Sequence, residues 1–206
     1  MELSPQFILK LDRPDLQFFQ RSTQQVAQQL LGMGIVRSLG NKFMIGKIVE
    51  TESYSFGDPA SHCYQKKTVR NCALFGPVGH AYIYTSYGIH YGFNLVAYGP
   101  GDRAGGVLIR AVEPLYGISV MQKHRAVSGY SLTNGPGKFT QAFNIDARFY
   151  GYNLMQADEL FVAYLPEQED FSIKATPRIG ISKAQDYHGR FIIAANPWVT
   201  PHRYNK

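Results

Sequence analysis

The chain has 206 residues, 45% of them hydrophobic and 17% charged, with a formal net charge of +6. That length and apolar content suffice for one substantial core, so a single domain over residues 1–206 is expected, and the sparse charge argues against disorder. The basic excess, with a pI near 9.3, suits a polyanionic partner such as nucleic acid.

In chain order, residues 1–21 read as an irregular arm with an aromatic patch at Phe18 and Phe19. Its first residues carry no secretory signal, and no apolar run approaches the roughly 18 residues of a membrane span, so no membrane partner is expected. Ser22 or Thr23 caps a helix whose Val26, Leu30 and Leu31 share a face and which stops at Gly32. Segments 34–38 and 43–52 predict two strands joined by a turn at Leu39-Gly40-Asn41-Lys42. Residues 57–77 lose periodicity and read as loop. They hold the two cysteines, Cys63 and Cys72, whose spacing makes neither a CxxC nor a disulfide framework, which points to a reduced, intracellular setting.

Segments 81–85 and 91–98 predict a second hairpin with residues 86–90 at its turn. Segment 106–112 (GVLIRAV) reads as a buried strand interrupted by Arg110, and Pro114 is expected to open a helix running to about His124. Asn134-Gly135-Pro136-Gly137-Lys138 precedes a short helix over 139–143, but its spacing is not that of a P-loop. Segments 160–164, 177–181 and 190–195 read as further sheet. There is no internal repeat or linker. Hairpin signals outnumber helical crossovers, so the fold class is a mixed α/β (α+β) one, β-rich, with mainly antiparallel pairing and flanking helices.

The stretch 47–94 is crowded with aromatic rings and carries the chemistry. Alternate residues of a strand share a face, so Glu50, Glu52 and Tyr54 fall on one side and Val49 and Thr51 on the other. Burying an unpaired carboxylate is costly. Either the two glutamates are neutralised, with Arg110 as the candidate partner, or their strand is a solvent-facing edge. Tyr82 and Tyr84 share a face, and Tyr82 is expected in the core. Tyr87 sits at a hairpin tip, where a ring has little to bury against; it is either incidental or a probe. His62-Cys63 with Glu50 or Asp58 is a weak metal cluster, lacking HExxH or a following CxxC, so no metal is expected. Cys63 has no opposed histidine to make it a nucleophile, and Trp198 reads as a core anchor.

The segments KIVETESY, DPASH, TVRN, FGPVGHAYIY, YGIHYGFN and VLIRAVEP, with NGPGK and PRIGIS downstream, closely resemble the alkyladenine (3-methyladenine) DNA glycosylases. The resemblance spans nearly the whole chain, from Leu30-Leu31-Gly32 to the NPWV at 196–199. It implies a curved sheet with a protruding hairpin that inserts into DNA. It also implies a monomeric, cytoplasmic, nucleoid-associated bacterial enzyme, needing no cofactor, that acts on double-stranded DNA containing damaged purines. Such enzymes flip 3-methyladenine, 7-methylguanine, ethenoadenine or hypoxanthine out of the duplex and hydrolyse the N-glycosyl bond, leaving an abasic site. By the same resemblance Glu52 is the general base for the attacking water, aided by Arg110 and a backbone carbonyl near Ile179. Tyr54 stacks on one face of the base, and His62 and Tyr84 on the other. Tyr87 is the wedge that fills the gap, and Asn94 obstructs the 2-amino group of guanine. No lysine matches a nucleophile position, which implies a monofunctional enzyme. Ile89 and His90 depart from the methionine and the aromatic of some relatives, and the loop between Tyr54 and His62 is about one residue shorter.

Two other classes fit parts of the pattern. A metal-dependent hydrolase would use Glu50, Glu52, Asp58 and His62 as ligands, and a non-catalytic nucleic-acid module would use the aromatics as stacking platforms.

Overall fold

In the computed structural model, which describes residues 5–86, 88–166 and 170–205, the chain is organised on one long strand, β2 (Lys42–Ser55). Residues 43–46 and 48–53 of β2 are all buried, so the strand is covered on both faces. Around it the sheet takes in β1 (Gly34–Leu39), β3 (Ala81–Ser86), β4 (His90–Val96), β5 (Gly105–Tyr116), β6 (Leu160–Ala163), β7 (Ile173–Thr176) and β8 (Arg190–Ile193). The order is β3-β4-β5-β2-β1-β6, with β8 also on β2 and β7 beyond β8, and every pairing is antiparallel. One edge of β2 serves two neighbours: Lys42–Lys47 pairs with β1, and Glu50–Glu52 pairs with β8. The register with β5 slips around Glu50, and such bulges strengthen local twist and bend the strand. The sheet therefore curls into a half-barrel, and this is the α+β, β-rich class expected from the sequence.

The helices are short. α1 (Pro5–Leu9) and α2 (Leu16–Phe19) replace the irregular arm expected over 1–21. Asp15 caps α2, and Phe18 and Phe19 are core residues meeting edge to face at 5.0 Å. Of the two candidate caps, Ser22 is the one used: it heads α3 (Thr23–Gln29) with Gln25 in a reciprocal capping box. α3 sets Val26 and Ala27 against the sheet, and Thr51 Oγ1 donates to Ala27 O at 2.8 Å. That contact places Val49 and Thr51 on the helix side and leaves the other face of β2 for Glu50, Glu52 and Tyr54. α4 (Ile118–His124) and α5 (Pro136–Ala142) complete the set, with α5 starting three residues before the 139–143 expected.

Two further expectations are corrected. Pro114 does not open a helix; it lies within β5, opposite Gly46. Pairing of β5 with β4 involves only Gly106–Ile109, so at Pro114 one edge of β5 has no neighbour, and a missing N–H removes no ladder bond there. The helix waits for Gly117, whose φ of +74° turns the chain. Segment 177–181 is likewise not a strand. β7 ends at Thr176, after which Pro177 lacks a donor and Gly180 adopts φ +75°, so PRIGIS becomes a loop. No described helix is long and apolar enough to cross a membrane.

Candidate active site

On the face of β2 away from α3, both glutamates are 0% exposed, which overturns the solvent-edge alternative. They survive burial because cations and N–H donors surround them. Glu50 Oε1 accepts from Arg110 Nε at 2.8 Å and Arg190 Nε at 2.7 Å, and its Oε2 accepts from Thr200 N at 2.8 Å. Burial alone would raise the Glu50 carboxyl, but Arg110, Arg190 and the Thr200 amide together hold it below its ordinary value. Glu52 Oε2 accepts from Tyr54 Oη at 2.7 Å and Arg110 Nη1 at 3.2 Å, while its Oε1 accepts from Ile179 N at 2.8 Å. Burial, and after it the Glu52 carboxylate, push the Tyr54 hydroxyl well above its ordinary value, so that hydroxyl remains a donor. Burial works against the Arg110 charge, but Glu52 and Glu50 raise its pKa and keep it protonated.

Beside this network lies a small cavity, open to solvent and lined by Tyr54, His62, Tyr82, Tyr84, Asn94 and Gly106 among others. The sheet builds it by register. Tyr82 faces Asn94, Asn94 faces Leu108, and Leu108 faces Glu52, so one cross-strand row runs from cavity to carboxylate. Tyr84 lies opposite Gly92, where an added Cβ would come within 2.4 Å of the ring. Glycine there lets the tyrosine lie across the sheet. From the loop after β2, the His62 ring meets Tyr84 edge to face at 4.6 Å, and its Nδ1 pairs with Tyr82 Oη at 2.9 Å. Buried Asn71 braces that loop by donating to His62 O at 2.7 Å. Partial enclosure, with Arg70 nearby, lowers the His62 pKa and favours the neutral ring. Asn94 Nδ2 donates to Tyr82 O at 3.1 Å, which fixes the amide at the cavity wall.

The structure thus gathers Tyr54, His62, Tyr84 and Asn94 around one cavity and joins Glu52, Arg110 and Ile179 in the adjoining polar network. Tyr82, expected only as core, is buried and also lines the cavity. What Ile179 gives Glu52 here is its N–H. Tyr87 lies outside the described residues; its neighbours Ile89 and His90 are exposed. Trp198 is partly buried against the core, as expected. Two arginines escaped the reading of the sequence. Arg190 opens the buried strand RFII, and Arg178 lies in PRIGIS, 3% exposed and paired with Asp58. A cation inside an apolar segment was the available signal, because burial demands a partner for it. Among the described residues no group of three or more His, Cys, Asp and Glu side chains is placed to hold a metal. Glu50, Glu52 and Asp58 are each committed to guanidinium groups instead.

The curled sheet thus presents a buried carboxylate beside a cavity walled by aromatic rings. A model of the family described as Methylpurine-DNA glycosylase (MPG) matches residues 17–197. A relative from Carboxydothermus hydrogenoformans, bearing the provisional name 3-methyladenine DNA glycosylase, is 42% identical over 89% of this chain and 96% of its own length. Two others with the same provisional name come from Francisella tularensis and Nitrosospira multiformis. The first is 42% identical over 86% of this chain and 93% of its own. The second is 40% identical over 93% and 95%. The chain belongs to the methylpurine-DNA glycosylase family and is a DNA repair enzyme, a glycosylase of the 3-methyladenine type.

Proposed function

We propose that the protein is a monofunctional base-excision glycosylase that flips alkylated or deaminated purines from duplex DNA and hydrolyses the N-glycosyl bond with a water activated by Glu52. The candidate lesions are 3-methyladenine, 7-methylguanine, ethenoadenine and hypoxanthine. The observation that carries this reading is Glu52: a fully buried carboxylate that accepts three hydrogen bonds while joined through Tyr54 to the aromatic cavity. The flipped base lies between Tyr54 on one side and His62 and Tyr84 on the other, where ring faces attract cationic purines. Water oxygen bonds to C1′ as the C1′–N bond breaks, the bond pair leaves with the base, and Glu52 takes the proton from water. The carboxylate also steadies the positive charge that develops on the sugar. Arg110 holds Glu52 in place from one side and the Ile179 amide from the other, with a carbonyl near Ile179 helping to hold the water. Tyr87 fills the space in the stack, and Asn94 rejects the 2-amino group of guanine. The enzyme works as a monomer and single domain on bacterial chromosomal DNA in the cytoplasm.

The test is incubation with duplexes each carrying one defined lesion, in chelator, with release of free base and alkali-labile abasic sites as the readout. Base release that survives chelator, without strand cleavage before alkali, is expected. Activity lost in chelator, or DNA binding with no product, would overturn the proposal.

A further inference from the structure

Arg178 does not line the cavity, yet it packs on Tyr54, which both lines the cavity and donates to Glu52. Its guanidinium carbon lies 4.6 Å from the centre of the Tyr54 ring and 5.0 Å from that of Tyr187, so the cation is held between two aromatic faces. Nη1 donates to Ser53 O at 3.0 Å and to Asp58 Oδ2, and Nη2 donates to Asp58 Oδ1 at 3.0 Å. Its Nε has no hydrogen-bond partner. Tyr54 lines the cavity, while Arg178, packed over the same ring, does not. Asp58 belongs to the loop that delivers His62, and the next residue after Arg178 is Ile179, whose amide binds Glu52. One buried cation therefore ties together the stacking tyrosine, the His62 loop and the amide that orients the carboxylate.

We propose that Arg178 is a positioning residue that also applies positive potential to the departing base through the Tyr54 ring. This rests on the reading that a purine stacks on Tyr54. When the C1′–N bond breaks, its electron pair moves onto the base while water oxygen bonds to C1′ and Glu52 takes the proton. A cationic purine such as 7-methylguanine loses its charge in that step. A positive charge behind the ring therefore weakens the hold on the cationic base before reaction and eases electron flow into it during reaction. Adding a stacking distance of about 3.5 Å puts the guanidinium roughly 8 Å from the base. At an effective dielectric of about 20, a lone charge at that distance is worth about thirtyfold, and the Asp58 carboxylate, about 4 Å further away at most, offsets about tenfold of it, leaving about threefold.

The test is single-turnover excision of 7-methylguanine from a defined duplex, separating half-saturating enzyme concentration from maximal rate. Arg178→Met removes the cation and keeps the bulk against Tyr54. It is expected to lower the half-saturating concentration and the maximal rate, each about threefold to thirtyfold. Asp58→Asn unmasks the cation and is expected to raise both. Arg178→Lys keeps the charge and is expected to remain nearer wild type in both quantities than Arg178→Met. Should a lone buried charge prevent either single variant from folding, Arg178→Met/Asp58→Asn leaves neither charge and is expected to shift both quantities in the same direction as Arg178→Met. Simple loss of packing would instead raise the half-saturating concentration and lower the rate in every variant, and that result would overturn the proposal. Unchanged values in folded variants would also overturn it. Failure of the wild type to release any purine would instead refute the underlying function, so the two failures are distinguishable.

Discussion

Replacing Glu52 by Gln keeps the shape of the side chain and removes the group proposed to take the proton from water. The amide cannot satisfy the donors that surround it. If its NH₂ stands at Oε1 it faces the Ile179 N–H; if it stands at Oε2 it faces Arg110 Nη1, although the Tyr54 hydroxyl can turn to accept. Either way one buried donor opposes another, at a cost of about 1–3 kcal/mol. For a chain of this size each kcal/mol lowers Tm by about 2–4 °C. Glu50 still compensates Arg110, so the variant should fold. Loss of the general base alone removes about 10²–10⁴ in rate, and loss of charge stabilisation on the sugar adds to that. Single-turnover excision of hypoxanthine, measured beside lesion binding and thermal unfolding, separates the effects. Excision should fall at least a hundredfold with lesion binding retained and Tm only modestly lower. A folded variant that excises at near wild-type rate would place the base elsewhere, with Glu50 the next suspect.

Glu50→Gln should act chiefly on stability, costing about 3–5 kcal/mol because two buried arginines lose a charged partner. The Glu50 pKa is depressed in the fold, so its contribution is complete above the unfolded value of about 4.3 and disappears as pH falls through the folded value. Urea titrations from pH 7 down to 3 should show a flatter acid loss for the variant, and identical pH dependence would refute this. Gly92→Ala drives a Cβ within 2.4 Å of the Tyr84 ring and should cut excision about tenfold to a hundredfold with circular dichroism unchanged. Wild-type excision would show that the Tyr84 ring is not a stacking wall. Asn94→Ser should admit guanine from a G·T mispair about tenfold to a hundredfold better, as a donor no longer meets a blocked, unpaired site; no gain, with hypoxanthine excision intact, would make Asn94 structural. Tyr87→Ala should weaken flipping more than chemistry in an ethenoadenine fluorescence titration, and an unchanged flipping equilibrium would dismiss the wedge.

Strand alternation placed Glu50, Glu52 and Tyr54 on one face of β2 and left two outcomes, a solvent-facing edge or burial with Arg110 as candidate partner, of which the structure shows the second. The Ser22 cap and the Gly40-Asn41 turn were equally legible, since each is a local device written in adjacent residues. Alternation could not separate the roles of the two glutamates. That difference comes from the chain returning on β2 through β8, which delivers Arg190 and the Thr200 amide to Glu50 and leaves Glu52 facing Tyr54 and Ile179. Local pattern also misread Pro114 and PRIGIS. A proline is acceptable in a strand only where the neighbouring edge is empty, and an apolar run is a strand only where a partner is in register; both conditions depend on pairing with β4 and β8, which the segment itself does not show. Arg178 is the sharpest case. Its partners Asp58 and Ser53 lie 120 and 125 residues away, so its place between two tyrosine rings exists only once the sheet has closed.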